Sequence, residues 1–288
     1  MSPNYSSLYR LGLSKSLGIG QFYEHIIEAL YGTVLCAGDT CIDGGVNRGQ
    51  HTFNMSNLVG ASGLVIGFEA LPCLANSINQ RIAREGIGNI KIIAKAIGNF
   101  AGSTAFTQVV DADGYSGIRQ RTGIPLDYLA SARVLEVPCT TIDLELDRLG
   151  GTCAVPRFIK LDLEGGELHA LMGARQLLAR KQTLVVFENG CQESAAVYGY
   201  SRGEWFDFMA SIDYRVFDLF GRPFGPSDWS RHEIPWYFIA VPAAKADWLH
   251  FIDHQYAAMV VALAARLGAG GWLPGSGLVR RLASRLWR

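Results

Sequence analysis

Apolar runs that stop abruptly at a glycine or an acid organise the middle of this chain. Leu64-Val65-Ile66-Gly67-Phe68 is continuous and ends at Glu69, the pattern of a parallel strand buried on both faces. Pro72 then fits the first turn of a helix reaching Glu85, because a proline there forfeits no helical N–H bond. Upstream, the pattern predicts a short strand over Thr40–Asp43 and a helix over Gln50–Leu58. Downstream it predicts strands at Ile90–Ala94, around Ser103–Val110 and at Val134–Ile142. Arg157 to Leu161 ends at Asp162, a helix is expected from about Gly166 to Ala179, and Thr183 to Phe187 ends at Glu188. Strands alternating with helices argue for an α/β fold with a mostly parallel sheet, and Tyr214–Leu219 with Ile234–Val241 for an antiparallel hairpin at its edge.

Open α/β sheets bind ligands beyond the carboxyl ends of their strands, near the point where strand order reverses. Asp43, Glu69, Asp162 and Glu188 all fall at expected strand ends. Any one of them could simply cap the helix that follows. Four acids closing four apolar runs point instead to a shared site at one edge of the sheet.

Composition narrows the classes. The chain has 288 residues, 49% of them hydrophobic and 18% charged, with 33 glycines, which fits a globular α/β protein and excludes disordered and fibrous ones. Lys+Arg and Asp+Glu both number 26, so no chain-wide charge favours a nucleic-acid partner, and none is expected. Six cysteines without a C-x-x-C pair read as reduced core thiols of a cytoplasmic protein. No secretory signal is expected at the start, and no apolar run reaches the roughly 18 to 20 residues of a membrane span. Three regions are expected: a helical lead-in over residues 1–32, a catalytic domain over 33–244 and a tail over 245–288.

The sharpest local feature is Cys41-Ile42-Asp43-Gly44-Gly45-Val46-Asn47-Arg48-Gly49-Gln50, a strand breaking into a glycine-rich loop before a helix. Gly45 and Gly49 let backbone approach a ligand that a Cβ would push away. The loop is neither a dinucleotide G-x-G-x-x-G nor a phosphate-binding G-K-S/T loop, and Asp43 at the strand end would repel a pyrophosphate. It suits a cationic group. Glu69 can accept two hydrogen bonds from a ribose diol. The pair describes a nucleoside with a cationic tail, for which S-adenosylmethionine is the natural candidate; an NAD enzyme with a degenerate loop would also offer Glu69. In the second segment, Phe158-Ile159-Lys160-Leu161-Asp162-Leu163-Glu164-Gly165-Gly166-Glu167, period two puts Lys160 and Asp162 on one side, with Glu164 continuing it if the strand persists. A plain Lys160–Asp162 ion pair with a helix cap at Glu164 is the structural alternative.

These segments resemble the FkbM-type methyltransferases, class I enzymes dependent on S-adenosylmethionine. Asp43-Gly44-Gly45-Val46-Asn47-Arg48-Gly49 is similar to the family's D-x-G-A-N-x-G loop, with valine where alanine is usual. Phe68-Glu69-Ala70-Leu71-Pro72 resembles F-E-P-x-P, Ala96-Ile97-Gly98 resembles A-[IL]-G, and Lys160 to Glu167 resembles K-I-D-V-E-G-A-E. The likeness extends over about Asp39–Val241. It implies a Rossmann-like class I methyltransferase fold, with a mostly parallel seven-stranded sheet, an antiparallel edge hairpin and flanking helices. It further implies that Asp43, Gly45, Asn47 and Gly49 surround the methionine moiety, that Glu69 binds the ribose, and that Ala96 and Ile97 lie near the adenine. Asp162 would face the sulfonium and the acceptor.

Methyl transfer needs acceptor oxygen, methyl carbon and sulfur in line, and a hydroxyl nucleophile needs a proton acceptor beside it. Asp162 is the first choice for that role, Glu188 the second and His232 a third. Asp162, Glu164 and Glu188 are hard oxygen donors of the kind Mg²⁺ accepts, but no fixed-spacing metal motif is present and no metal is predicted. His250 and His254 lack a zincin glutamate between them and read as solvated surface. Asp111 to Arg133 reads as a lid or acceptor loop, with Tyr115, Ser116 and Arg119 on the acceptor side. From Ala246 an amphipathic helix is expected, followed by a basic segment over Leu278–Arg288. Docking of this tail on the catalytic domain or on a second subunit is preferred over peripheral contact with an anionic membrane.

The expected function is O-methylation of a hydroxyl on a carbohydrate, glycolipid or secondary metabolite, the acceptor class coming from the resemblance alone. The rivals are an NAD(P)-dependent oxidoreductase and a catalytically silent domain that binds a nucleoside or a partner.

Overall fold

The computed structural model describes residues 18–110, 116–119, 130–150, 154–231 and 233–268. Helix α1 (Ile19–Val34) leads into strand β1 (Thr40–Gly44), helix α2 (Gln50–Val59), strand β2 (Leu64–Phe68) and helix α3 (Pro72–Glu85). Strands β3 (Ile90–Ile93), β4 (Ala96–Ile97), β5 (Gly102–Val109) and β6 (Ala132–Thr140) follow, then helix α4 (Ile142–Arg148) and strand β7 (Phe158–Leu161). Helices α5 (Glu167–Met172) and α6 (Arg175–Ala179) precede strand β8 (Leu184–Glu188), and helices α7 (Gln192–Tyr198) and α8 (Arg202–Ser211) precede strands β9 (Tyr214–Asp218) and β10 (Tyr237–Pro242). The last elements are helix α9 (Ala246–Phe251), a π-helical turn (Ile252–Tyr256) and helix α10 (Ala257–Gly268).

Seven strands form the main sheet in the order β3-β2-β1-β7-β8-β10-β9. The first five are parallel, and β10 runs antiparallel to both β8 and β9. The fold is therefore the Rossmann-like class I methyltransferase sheet with an antiparallel edge. The chain builds outward from β1 to β3 and then returns to β7 on the other side, so the switch point lies between β1 and β7. Asp43 is paired there with Lys160, and Gly44 with Leu161.

Side chains alternate between the two faces, and each face has its own core. Cys41, Phe158, Val186, Tyr237 and Ile239 pack under α1 and the C-terminal helices. Ile42, Ile159, Leu161, Phe187 and Phe238 pack with α5, α6 and α8. By the same alternation Asp43, Lys160 and Glu188 belong to the α1 face. Trp248, Ile252, Tyr256, Met259 and Leu263 are buried in the α1-side core, and the Tyr256 hydroxyl donates to Leu219 O at 2.9 Å. The apolar stripe of residues 246–268 is thus covered by the chain's own core, as is that of α1; the basic segment 278–288 lies outside the described residues. Among the described residues no helix is long and apolar enough to cross a membrane.

Several expectations are corrected. The strands around 103–110 and 134–142 do not join the main sheet but form a separate three-stranded sheet, β4-β6-β5. Their pairing is antiparallel with one wet face, on which Val134 is 72% exposed. The second of these strands ends at Thr140, because the Thr141 hydroxyl accepts from Leu144 N at 3.1 Å and so caps α4. The helix expected over 166–179 is two helices, broken where a Cβ on Gly173 would lie 2.1 Å from Gly98 O. The Asp143 carboxylate then starts α6 by accepting from Gln176 N and Leu177 N. Helices α7 and α8 were not expected, although Ser201 and Glu204 form a capping box at the start of α8. Of the cysteines, Cys36 and Cys73 are exposed rather than in the core, and Cys41, Cys139 and Cys191 are buried thiols.

Asn89 ties the end of α2 to the start of β3. Its amide donates to Ser56 O at 3.0 Å and Gly60 O at 2.8 Å, and its carbonyl accepts from Ser56 Oγ at 2.7 Å. Asn89→Ala should lower stability by about 2 kcal/mol, since it orphans three buried groups; urea unfolding would read it as a lower midpoint at unchanged slope.

Candidate functional site

The loop between β1 and α2 is folded by close backbone approach. Gly45 N and Val46 N both donate to Phe68 O, at 3.0 and 3.1 Å, and Gly45 has φ +85. A Cβ there would stand 2.0 Å from Asp162 O, so only glycine lets the β1 loop touch the end of β7. Asn47 is held at φ 48, and its N–H donates to Glu69 Oε2 at 2.7 Å. Glu69 Oε1 accepts from Leu71 N at 2.9 Å. Glu69 thus ties the β1 loop to the start of α3.

Above this floor lies a cavity that opens to solvent. Gly45, Asn47, Glu69, Ala96, Ile97 and Asp162 are among its walls. Phe106, Ser116 and Ile118 from the three-stranded sheet and its connecting segment line it as well. Ser116 is fixed by accepting from Val109 N at 2.9 Å, and Arg119 N donates to the Tyr198 hydroxyl at 3.4 Å. Tyr115 and His232 lie outside the described residues.

Asp162 follows β7 directly. Its Oδ2 accepts from Lys160 Nζ at 3.0 Å and from the Tyr237 hydroxyl at 2.8 Å. Burial alone would raise its pKa, but the Lys160 charge and the hydrogen bonds from Lys160 and Tyr237 hold the carboxyl below the ordinary carboxylate value. Lys160 is fully enclosed; burial would weaken its ammonium, yet Asp162, Asp43 and Glu24 around it keep it firmly protonated. The ion pair expected as the structural alternative is therefore present, and it prepares the site by keeping Asp162 anionic.

The strand does not persist to Glu164. The chain leaves β7 after Leu161, Glu164 takes φ 55, and the loop is closed by Glu167 rather than capped by Glu164. Leu163 N donates to Glu167 Oε1 at 2.7 Å and Gly165 N at 3.4 Å, and burial pushes the Glu167 carboxyl up to about 8. This turn places Glu164 on the wall of the main cavity and of a neighbouring recess lined also by Glu188, Glu193, Ser194 and Tyr198. One carboxylate oxygen from each of Asp162, Glu164 and Glu188 lies within 4.8 Å of the others, a donor set that a hard cation could accept.

Of the expected residues, Gly45, Asn47, Glu69, Ala96, Ile97 and Asp162 meet at the cavity, and Glu188 faces the recess. Asp43 lies behind the loop, 1% exposed, with Oδ2 accepting from Thr52 Oγ1 at 2.5 Å. Gly49 does not reach the cavity; it starts α2 at φ +82, where a Cβ would strike the Phe53 ring. Tyr237 and Glu24, which stand beside Asp162 and Lys160, were not expected, and no local motif marks them.

The cavity fits S-adenosylmethionine on structural grounds. Asn47 Oδ1 is a buried acceptor without a protein donor, as is Asp43 Oδ1 behind it, so this end of the cavity is prepared for a cationic tail. Glu69 would hold the ribose, and Ala96, Ile97 and Phe106 give an apolar slot for a purine.

Residues 43–216 match the family described as the methyltransferase FkbM domain. No curated protein matches the sequence. Among solved structures, the methyltransferase FkbM from Methylobacillus flagellatus KT is 16% identical with TM-score 0.44, covering 73% of this chain and 47% of its own. This chain thus spans about half the length of that relative. A precorrin-6y C5,15-methyltransferase from Geobacter metallireducens GS-15 is 12% identical with TM-score 0.43, covering 80% of this chain and 92% of its own. A SAM-dependent methyltransferase from Aquifex aeolicus is 13% identical with TM-score 0.37, over 83% and 97% of the two chains. With the family's domain matched over more than half of its length, and with the class I sheet and loop geometry in place, the chain belongs to the FkbM family of S-adenosylmethionine-dependent methyltransferases.

Proposed function

We propose that the protein is an O-methyltransferase acting on a hydroxyl of a carbohydrate, glycolipid or secondary metabolite. The observation that carries this reading is Asp162: an anionic carboxylate on the cavity wall, fixed by Lys160 and Tyr237 and adjoining a recess rich in hydrogen-bond acceptors. Bound S-adenosylmethionine supplies an activated methyl group on a sulfonium, so the protein's task is alignment and proton removal. Glu69 and Asn47 would orient the cofactor, and Asp162 would orient the acceptor hydroxyl and take its proton. Glu164, Glu188, Glu193 and Ser194 can accept from the remaining hydroxyls of a polyol, and the Tyr198 ring offers an apolar flank.

Calorimetric titration with S-adenosylhomocysteine, with NAD and NADP as parallel controls, tests the cofactor. Saturable binding of the homocysteine nucleoside alone is expected, weakened at least tenfold in Glu69→Ala; binding of NAD instead would favour an oxidoreductase. Transfer of a labelled methyl group across a panel of sugar and polyketide alcohols then tests the acceptor. Label found on nitrogen or carbon would overturn the O-methylation reading.

A further inference from the structure

Part of the main cavity's wall is a small apolar core of its own. Leu71 ahead of α3, Ala96 of β4, Phe106 of β5 and Ile118 of the connecting segment pack together there and line the cavity. Two further polar side chains adjoin these residues on the wall. Lys95 directly precedes β4, and its ammonium donates to Glu145 Oε1 at 2.8 Å. The same oxygen accepts from Thr140 Oγ1 at 2.6 Å and from Arg148, which makes it a fixed anchor. The bond to Glu145 matches the Lys95 charge but uses one of three N–H groups, leaving two to give. With its side chain 30% exposed, Lys95 is not sealed behind the wall. Ser116 is held by the next residue, Gly117, which exchanges backbone bonds with Thr107 of β5 at 2.8 and 3.0 Å. Its Oγ accepts from Val109 N at 2.9 Å, and among the described residues its own hydrogen has no acceptor.

We propose that Lys95 and Ser116 are specificity-determining residues that read the base of the cofactor by donating to its ring nitrogens. The inference rests on the reading of this cavity as the S-adenosylmethionine site, with the apolar wall at its purine end. Apolar side chains with hydrogen-bond donors beside them suit a flat ring that carries acceptors in its plane: the faces pack on Ala96 and Phe106, and the edge takes the hydrogens. A phosphate would meet the same donors, but it would be desolvated against four apolar side chains, with the Lys95 charge already matched by Glu145. Adenine offers N1, N3 and N7 as acceptors. Replacing one of them by C–H leaves a donor of the wall unpaired, which is what makes such a site selective.

The test is calorimetric titration of the full chain with S-adenosylhomocysteine and with its 1-deaza, 3-deaza and 7-deaza analogues. In the wild type two of the three analogues should bind about tenfold more weakly, the loss that accompanies one unpaired donor. Lys95→Met, which keeps the length of the stem, should bring one of these penalties to within about twofold, and Ser116→Ala should do so for the other. A purely structural Lys95–Glu145 pair predicts something different, an equal loss for all four ligands in Lys95→Met. Wild-type binding of all four within about twofold would overturn the inference, and that measurement needs no variant to fold. A penalty pattern unchanged in either variant would overturn the role of the residue replaced. Absent binding of S-adenosylhomocysteine itself removes the cofactor reading, and this inference with it, whereas binding that ignores the ring nitrogens removes only the base readout.

Discussion

Lys160→Ala is expected to destabilise the protein by about 3 to 5 kcal/mol, because it strands buried carboxylates without their cation. The ammonium is enclosed among Asp162, Asp43 and Glu24, and among the described residues Asp162 alone is bonded to it directly. For a domain of this size that loss should lower the melting temperature by roughly 10 °C. The effect carries a sign with pH. The folded pKa of Asp162 lies below its ordinary value of 3.8, so the pair's contribution is present above that value and is lost as pH falls through the depressed one. Thermal melts of wild type and variant should therefore differ most near neutral pH and converge in strong acid. A gap that stays constant down to pH 2 would mean that Lys160 acts by packing and not by charge. Lys160→Met, which keeps most of the side-chain volume, should recover little of the lost stability if charge is what matters.

Gly45→Ala should be nearly as damaging and should also remove cofactor binding. Two separate penalties fall on that Cβ. The φ of +85 disfavours any side chain, and the added carbon would stand 2.0 Å from Asp162 O, a backbone atom that cannot swing aside. Relief requires β1 and β7 to separate at the switch point, which also breaks the Asp162 N to Gly44 O bond of 2.9 Å. A loss of about 3 kcal/mol or more is expected, with binding of S-adenosylhomocysteine weakened at least a hundredfold in calorimetry. Gly86→Ala serves as the control: it has φ +66 but nothing within 4 Å of the added carbon, so strain alone should cost about 1 kcal/mol and leave binding intact. Equal losses at the two positions would refute the close-approach argument for Gly45.

Elements with strong local signals were legible from the chain alone. Leu64–Phe68 and Pro72–Glu85 fall where the apolar run and the first-turn proline put them. Of the acids at strand ends, Glu69 and Asp162 share the cavity, since a parallel sheet carries its carboxyl ends to one edge, whereas Glu188 faces the neighbouring recess and Asp43 lies behind the loop. Other features had weak signals. Helix α4 begins at a threonine cap inside what reads as a strand, and α7 starts at Cys191 with no side-chain cap to announce it. The Ser201–Glu204 box at α8 was readable and went unread. The three-stranded sheet shows no difference from the main one in strand pattern, because period two says which face is buried and not which sheet a strand joins.

What the sequence determined by itself is most of the strands, the class of the main sheet and most of the residues that meet at the cavity. Those depend on neighbours a few positions apart, where periodicity, proline geometry and glycine freedom act directly. Tertiary structure alone decided that Tyr237 would stand beside Asp162, 75 residues away, and reach Glu24, 213 residues away. No local rule encodes those meetings. They follow from β10 pairing antiparallel with β8 and from α1 burying its apolar stripe on the face where the alternation had already placed Lys160.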